Sequence, residues 1–229
     1  MQSTLRVLLQ HQLSSGQFPT TVTNDVDGIN SGVHTIATTY LVCLILHELR
    51  LRGHSHQLSD QIISRGSRFL YNMQYLDPIS GIRVWHFNAF YPPDWEETAW
   101  SAYLLHQLGI LDSKSLEPLR SLVFSNETQD SGVGVWIKDP YSIHNASSNV
   151  FDPVVSVSVS GFLSRVFGDR SISTDRFIET SLKSDAPSLY YSDSFRRFFL
   201  YLFGAGERPH SLEHDRHRLF HHGRRTDVY

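Results

Sequence analysis

Apolar residues recur along the chain with helical spacing, in two alternating kinds of segment. Segments of the first kind are apolar on one face and predict amphipathic helices, at 4–13, 59–75, 114–124 and 174–183. Segments of the second kind are apolar on nearly every side, which predicts helices buried among others. They lie at 33–51, 96–108, 153–167 and 192–203. The pattern therefore predicts an all-α protein built from outer and inner helices in pairs.

Each pair returns after roughly fifty residues, which is the mark of a repeat architecture. Repeated helix pairs bury one another's faces by stacking, in an open solenoid or a closed ring. We predict an α/α toroid over residues 1–206, as a partial or complete barrel of helical hairpins. The loops before the inner helices would gather at one end. Within 153–167 valines alternate with serines, a strand pattern by propensity, but the repeat requires a helix there.

Composition narrows the class of protein. The chain has 229 residues, and 40% of them are hydrophobic, which predicts one folded domain. Its net charge of -3 predicts no basic surface for nucleic acid. The lone Cys43 lies in an apolar run and predicts core packing in a reducing compartment. No apolar run is long enough to cross a membrane and no secretion signal opens the chain. We therefore expect a cytoplasmic protein.

The tail at 207–229 differs from the rest, because histidine and arginine dominate it. His214, His217 and His221 have the helical spacing of metal ligands. No carboxylate or cysteine cluster accompanies them, so we predict a solvated tail without a metal. The abrupt end of the chain also suggests the start of a further hairpin in a longer protein.

The strongest chemical signal is a group of three acids, Asp94, Glu96 and Glu97, in an aromatic stretch at the start of an inner helix. Asp94 as the N-cap with Glu97 at N3 fits a capping box, which leaves Glu96 unexplained. Crowded acids against an apolar wall have raised pKa values, as a proton donor requires. The positive end of the helix dipole acts in the opposite direction.

The glycine turns before the extended loops resemble the glutamine–tryptophan repeats of squalene–hopene cyclases and related class II terpene cyclases. In such a turn the glutamine amide bonds helix-end backbone groups while the aromatic ring stacks nearby. The three turns are Gln12–Gly16–Phe18, Gln129–Gly134–Trp136 and the longer Gln74–Gly81–Trp85.

The acids also resemble that family's proton-donor motif, Asp-x-Asp-Asp-Thr-Ala, with two aspartates replaced by glutamates in the stretch 94–99. The resemblance implies Glu96 as general acid, supported by Asp94 and Glu97, and cyclisation of a prenyl chain or prenyl diphosphate. It implies no certain cofactor, and magnesium only for a diphosphate substrate. Aromatic residues would line the substrate cavity: Trp85, Phe87, Tyr91, Trp95, Trp100, Trp136, Tyr190 and Tyr191.

Two other functions stay open. In a glycoside-active toroid, Glu96 and Asp152 would flank a sugar, although Asp152 before Pro153 also fits a helix cap. In a non-catalytic binding or assembly module, the glutamates and the shortness of the chain relative to full-length cyclases would reflect a lost activity. The same shortness suggests a homo-oligomer or a further domain. The inner-helix histidines are expected to be satisfied polar or surface groups, at His34, His47 and His106.

Overall fold

Seven α-helices and one short β-hairpin form the described part of the protein. The computed structural model describes residues 2–20, 35–76, 81–87, 92–129, 131–137 and 150–184. The helices are α1 (Gln2–His11), α2 (Ala37–Leu51), α3 (Gln57–Met73), α4 (Trp95–Gln107), α5 (Ser113–Asn126), α6 (Pro153–Phe167) and α7 (Ile172–Lys183). The strands β1 (Tyr75–Leu76) and β2 (Arg83–Val84) pair antiparallel between α3 and α4.

The helices form two layers, with α2, α4 and α6 in an inner row. Helix α4 packs against α2 on one side and α6 on the other. The outer helices cover this row, since α3 packs on α1 and α2 while α5 and α7 pack on α6. The predicted all-α architecture of helical hairpins is confirmed. The predicted inner helix at 192–203 and the tail at 207–229 lie outside the described residues.

The inner helices α4 and α6 are buried on all sides over most of their length, which explains their lack of a polar face. Every side chain of α4 from Trp95 to Leu105 is buried, as is every residue of α6 from Pro153 to Leu163. The outer helix α3 instead buries one face and exposes the other. The apolar pattern therefore distinguished the two layers, because each helix buries the faces that its neighbours cover.

Helix α6 forms in spite of its strand-like alternation of valine and serine. Two of its serine hydroxyls donate to the carbonyl four residues earlier, with Ser156 Oγ at 3.0 Å from Asp152 O and Ser158 Oγ at 2.9 Å from Val154 O. The hydroxyls are thus satisfied inside the helix and need no water. Small residues also allow a helix packed on three neighbours to approach each of them closely. The prediction of a helix here is confirmed.

The first glycine turn ties α1 to α3 through Gln12. The Gln12 side-chain amide donates to Gly16 O at 2.9 Å and to Ile62 O at 3.0 Å. Gly16 has a φ of +96°, and its α-carbon lies so close to α3 that a Cβ would be 2.1 Å from Arg65 O. Glycine is required here by conformation and by space.

The other two turns differ from the expected pattern. In the turn before α6, the left-handed residue is Gly132, with a φ of +67°, rather than the Gly134 of the repeat. Gln74 accepts a hydrogen bond from Arg83 Nη1 at 2.8 Å and so stabilises the β-hairpin. The expectation that its side-chain amide bonds helix-end backbone stays a prediction, since the turn residues 77–80 lie outside the described residues.

The expectation for the inner-helix histidines is wrong for His47. It is 1% exposed, and within the described chain its Nε2 has no hydrogen-bond partner, while Nδ1 lies 3.1 Å from Arg50 Nη2. Burial lowers the pKa of His47 and so favours the neutral ring. His106 does find a partner, since Nδ1 lies 3.1 Å from Leu111 O. His34 lies outside the described residues.

Two further expectations concern Cys43 and the membrane. Cys43 is fully buried, as predicted for a core residue, and burial raises the pKa of its thiol to about 12. Among the helices that the structure describes, none combines the length and apolarity needed to cross a membrane.

Candidate active site

The three acids lie in the first turn of α4 and are all buried. Asp94 precedes the helix with extended backbone, and its Oδ1 accepts a hydrogen bond from Glu97 N at 2.9 Å. The predicted N-cap is therefore confirmed. Asp94, Glu96 and Glu97 are 3%, 5% and 4% exposed. Capping accounts for the position of Asp94, whereas the burial of two further carboxyls adds a desolvation cost that a cap does not require.

Loops that precede the inner helices converge around these acids. Trp95 N donates to Val135 O at 3.0 Å, and Ile137 N donates to Pro93 O at 3.0 Å, so the loop before α4 pairs with the loop before α6. The segment before α2 joins them through a 3.4 Å bond from Ile36 N to Phe87 O. The expected gathering of loops at one end is confirmed for these segments.

Thr98 fixes the aromatic stretch against the acidic turn. Its Oγ1 accepts from Trp85 N at 3.0 Å and donates to Trp85 O at 3.2 Å. The indole of Trp85 in turn donates to Leu70 O at 2.8 Å, which anchors the stretch to α3. This role of Thr98 was missed from the sequence, where only its place in the acidic motif drew attention.

Glu96 has a partner on the neighbouring inner helix that the sequence did not reveal. Tyr40 Oη donates to Glu96 Oε1 at 2.5 Å, and Tyr40 is itself fully buried in α2. Fifty-six residues separate the two in sequence. The available signal was a tyrosine within an otherwise apolar helix, because a buried phenol needs a hydrogen-bond partner. The identity of that partner depends on how α2 and α4 pack.

Burial controls the protonation of the acidic turn. Burial raises the pKa of Asp94. It raises the pKa of Glu97 well above the ordinary value, and the negative charges of Asp94 and, to a smaller extent, Glu96 raise that pKa further. The helix dipole favours the charged form, but desolvation outweighs it for these two carboxyls. The turn therefore retains protons at pH values where exposed carboxyls have lost them.

Because the buried carboxyls keep their protons to a higher pH than exposed ones, we predict an unusual dependence of folding stability on pH. Because the pKa of Glu97 is higher in the folded state than its ordinary value of 4.5, the folded protein binds more protons above about pH 4.5 and its unfolding free energy falls as pH rises. Glu97→Gln should flatten this fall in melting temperature, followed by circular dichroism from pH 5 to pH 8. The control Glu179→Gln, an exposed carboxyl on α7, should keep the wild-type slope. Equal slopes in Glu97→Gln and wild type would contradict the assignment.

The predicted aromatic residues divide into core residues and partly exposed ones. Trp85, Trp95 and Trp100 are fully buried and belong to the main hydrophobic core. Trp95 Nε1 is buried without a hydrogen-bond partner in the part of the chain described. Phe87 and Trp136 keep part of their surface accessible beside the acidic turn. The remaining predicted residues, Tyr91, Tyr190 and Tyr191, lie outside the described residues.

Asp152 occupies the position in α6 that Asp94 occupies in α4. It is fully buried, and its Oδ1 accepts from Val154 N at 2.8 Å, with Pro153 in the first helical turn. The predicted N-cap is confirmed.

Two surface depressions lie at the first turns of α7, and neither is lined by the acids. They have volumes of about 360 and 610 Å³. Arg170, Ile172 and Arg176 line both of them. Their lining residues are mostly charged or polar and do not form the apolar wall expected around a prenyl chain.

The fold is similar to that of the type II terpene cyclase MstE from Scytonema. The apo structure of MstE matches with a TM-score of 0.50 and 15% sequence identity, over 88% of this chain and 62% of that chain. A variant of MstE in complex with its substrate, geranylgeranyl dihydroxybenzoate, matches with a TM-score of 0.50 and 13% identity over the same shares. No protein-family model matches the sequence, and a search of curated proteins found no match to it. The chain thus has a terpene-cyclase-like fold and spans 62% of the length of MstE.

Proposed function

We propose that the chain is a class II terpene cyclase-like protein that starts cyclisation of a prenyl chain or prenyl diphosphate by protonation, with Glu96 as the general acid. The observation that carries the proposal is the burial of Glu96 between two other buried carboxyls, in the first turn of an inner helix. The motif resemblance assigns the acid role to the same residue.

The surroundings of Glu96 suit this chemistry. Protonation of an alkene moves the proton of the carboxyl onto one alkene carbon, the π electrons form the new C–H bond, and a cation develops at the other carbon. An acid for this step must keep its proton near neutral pH and must be screened from water. The turn at 94–97 is buried and so screened from water, and burial raises the pKa of Asp94 and of Glu97, the acids on either side of Glu96.

Cations formed along the chain require stabilisation without a nucleophile. Aromatic faces provide it, because their negative face attracts positive charge. Phe87 and Trp136 are the candidates with accessible surface in the described chain. In this arrangement the aromatic residues bind and guide the substrate while the acid starts the reaction.

The burial of Glu96 favours this function over a non-catalytic module, for which an exposed carboxylate is expected. The glycoside-active alternative needs Asp152 as a free partner carboxyl, and the cap that Asp152 makes on α6 argues against it. The proposal includes no metal, and magnesium would enter only by binding the diphosphate of a substrate that carries one.

The test is incubation of the full chain with geranylgeranyl diphosphate, farnesyl diphosphate, squalene and geranylgeranyl dihydroxybenzoate, the substrate of MstE. Mass spectrometry of the extracts should reveal a product with the mass of its substrate and a different retention time. If folded protein leaves every member of this panel unchanged, the proposed function is wrong and the binding-module hypothesis takes its place.

A further inference from the structure

The hydrogen bond between Tyr40 and Glu96 carries an inference that rests on the proposed function. The Tyr40 hydroxyl donates to Glu96 Oε1 at 2.5 Å, and the ring of Tyr40 is completely buried. A donated hydrogen bond occupies Oε1 as an acceptor. When Glu96 is a neutral acid, its own proton is therefore on Oε2.

We infer that Tyr40 is a positioning residue for the proposed reaction, which directs the acidic proton of Glu96 to Oε2 and stabilises the carboxylate left after proton transfer. Before the transfer, Tyr40 donates to a neutral carbonyl oxygen. After it, the O–H bond of Oε2 has broken, the new C–H bond has formed, and Tyr40 donates to a carboxylate. Hydrogen bonds to an ionised acceptor are roughly twice as strong as neutral ones.

This difference is what a catalytic contribution requires, because only an interaction that strengthens toward the transition state lowers the barrier. The bond is also preorganised. Tyr40 is held within α2 and Glu96 within α4, two packed inner helices, so neither side chain has to reorient as charge develops. Burial increases the effect because water does not compete for either oxygen.

A comparison of two substrates that differ in basicity separates this positioning role from a role in packing alone. An epoxide oxygen is far more basic than an alkene carbon, so its protonation demands less acid strength. A weaker acid should therefore lose more rate with an alkene than with an epoxide. A misplaced or loosened acid would lose rate with both substrates alike.

The experiment compares wild type and Tyr40→Phe on the substrate that the chain converts and on the terminal epoxide of the same prenyl chain. We expect kcat for the alkene to fall about 10²–10³-fold, the range for loss of one preorganised donor. We expect kcat for the epoxide to fall less than about 10-fold and KM to change little for both. The control is Tyr103→Phe, since Tyr103 lies on α4 with its hydroxyl bonded to Glu48 at 3.2 Å and should leave both rates near wild type.

Three results would overturn the inference while leaving the proposed function in place: an unchanged alkene rate, an equal loss with both substrates, or a Tyr40→Phe chain that does not fold, as judged by circular dichroism. The last would make Tyr40 a structural residue. A wild-type chain that converts neither the alkene nor the epoxide removes the proposed function and this inference together.

Discussion

Glu96→Gln should reduce formation of cyclised product by about 10⁴-fold, the upper end of the effect of a general acid. Glutamine has the shape of glutamate, and its carbonyl oxygen still accepts the hydrogen bond of Tyr40. It has no proton acidic enough to transfer to an alkene. The loss should appear in kcat with KM nearly unchanged, because the substitution removes chemistry and not binding. Mass spectrometry of timed extracts measures both quantities.

Glu96→Asp is the matched variant, because it keeps a carboxyl and withdraws it by one methylene. A displacement on the order of 1 Å costs about 10²-fold in rate when a reacting group must be aligned. We therefore expect an activity between those of wild type and Glu96→Gln. If Glu96→Gln folds, as judged by its circular dichroism and melting temperature, and still forms product at the wild-type rate, then Glu96 is not the acid.

Gly16→Ala should destabilise the fold by about 3–5 kcal/mol, which is at or above the upper end for most single substitutions. The left-handed backbone alone costs an L-residue about 1–2 kcal/mol. The added Cβ would also lie 2.1 Å from Arg65 O, a backbone atom of α3 that moves only if the helix moves. The turn held by Gln12 should separate from α3 as a result. Urea unfolding of both proteins measures the difference.

Gly53→Ala separates the two causes of this destabilisation, the left-handed backbone and the collision of the added Cβ. Gly53 has a φ of +86°, and a Cβ there would meet nothing within 4 Å. It therefore shares the conformational strain of Gly16 and lacks the collision, so its cost should stay near 1–2 kcal/mol. Equal destabilisation by the two substitutions would mean that α3 adjusts to the extra atom and that close packing is not what fixes glycine in this turn.

Much of the fold could be predicted because helix periodicity reports how many faces each helix buries. The alternation of one-sided and all-round apolar segments located the seven helices of the described residues within a few positions. It also outweighed local propensity in α6, where valine and serine alternate. There the hydroxyls of Ser156 and Ser158 donate to carbonyls four residues earlier, which offsets the cost of burying them.

The turns could be predicted less well, because their details depend on spacing and on tertiary neighbours. Gln12 bonds two backbone carbonyls as the motif implies. Gln74 occupies the same place in the next repeat, but the longer loop there folds into a hairpin and Arg83 becomes its partner. The left-handed glycine before α6 is Gly132, set by its close approach to Thr174.

The candidate site was visible in sequence only along one segment. The acids of the first turn of α4 stand out because they are crowded among aromatics. Tyr40 does not, since no pattern within α2 indicates which residue of α4 will lie opposite it. Its contact with Glu96 arises from the packing of two inner helices, and long-range packing of this kind is not encoded in periodicity.

The central claim is that a proton from the protein starts the reaction, and incubation in deuterium oxide tests it most directly. The carboxyl of Glu96 exchanges its proton with solvent between turnovers, so each molecule of product formed by the wild-type chain should carry one deuterium, on the carbon that is protonated first. Mass spectrometry locates that label. A cyclised product without deuterium, or no product from any prenyl substrate of the panel, would contradict the claim.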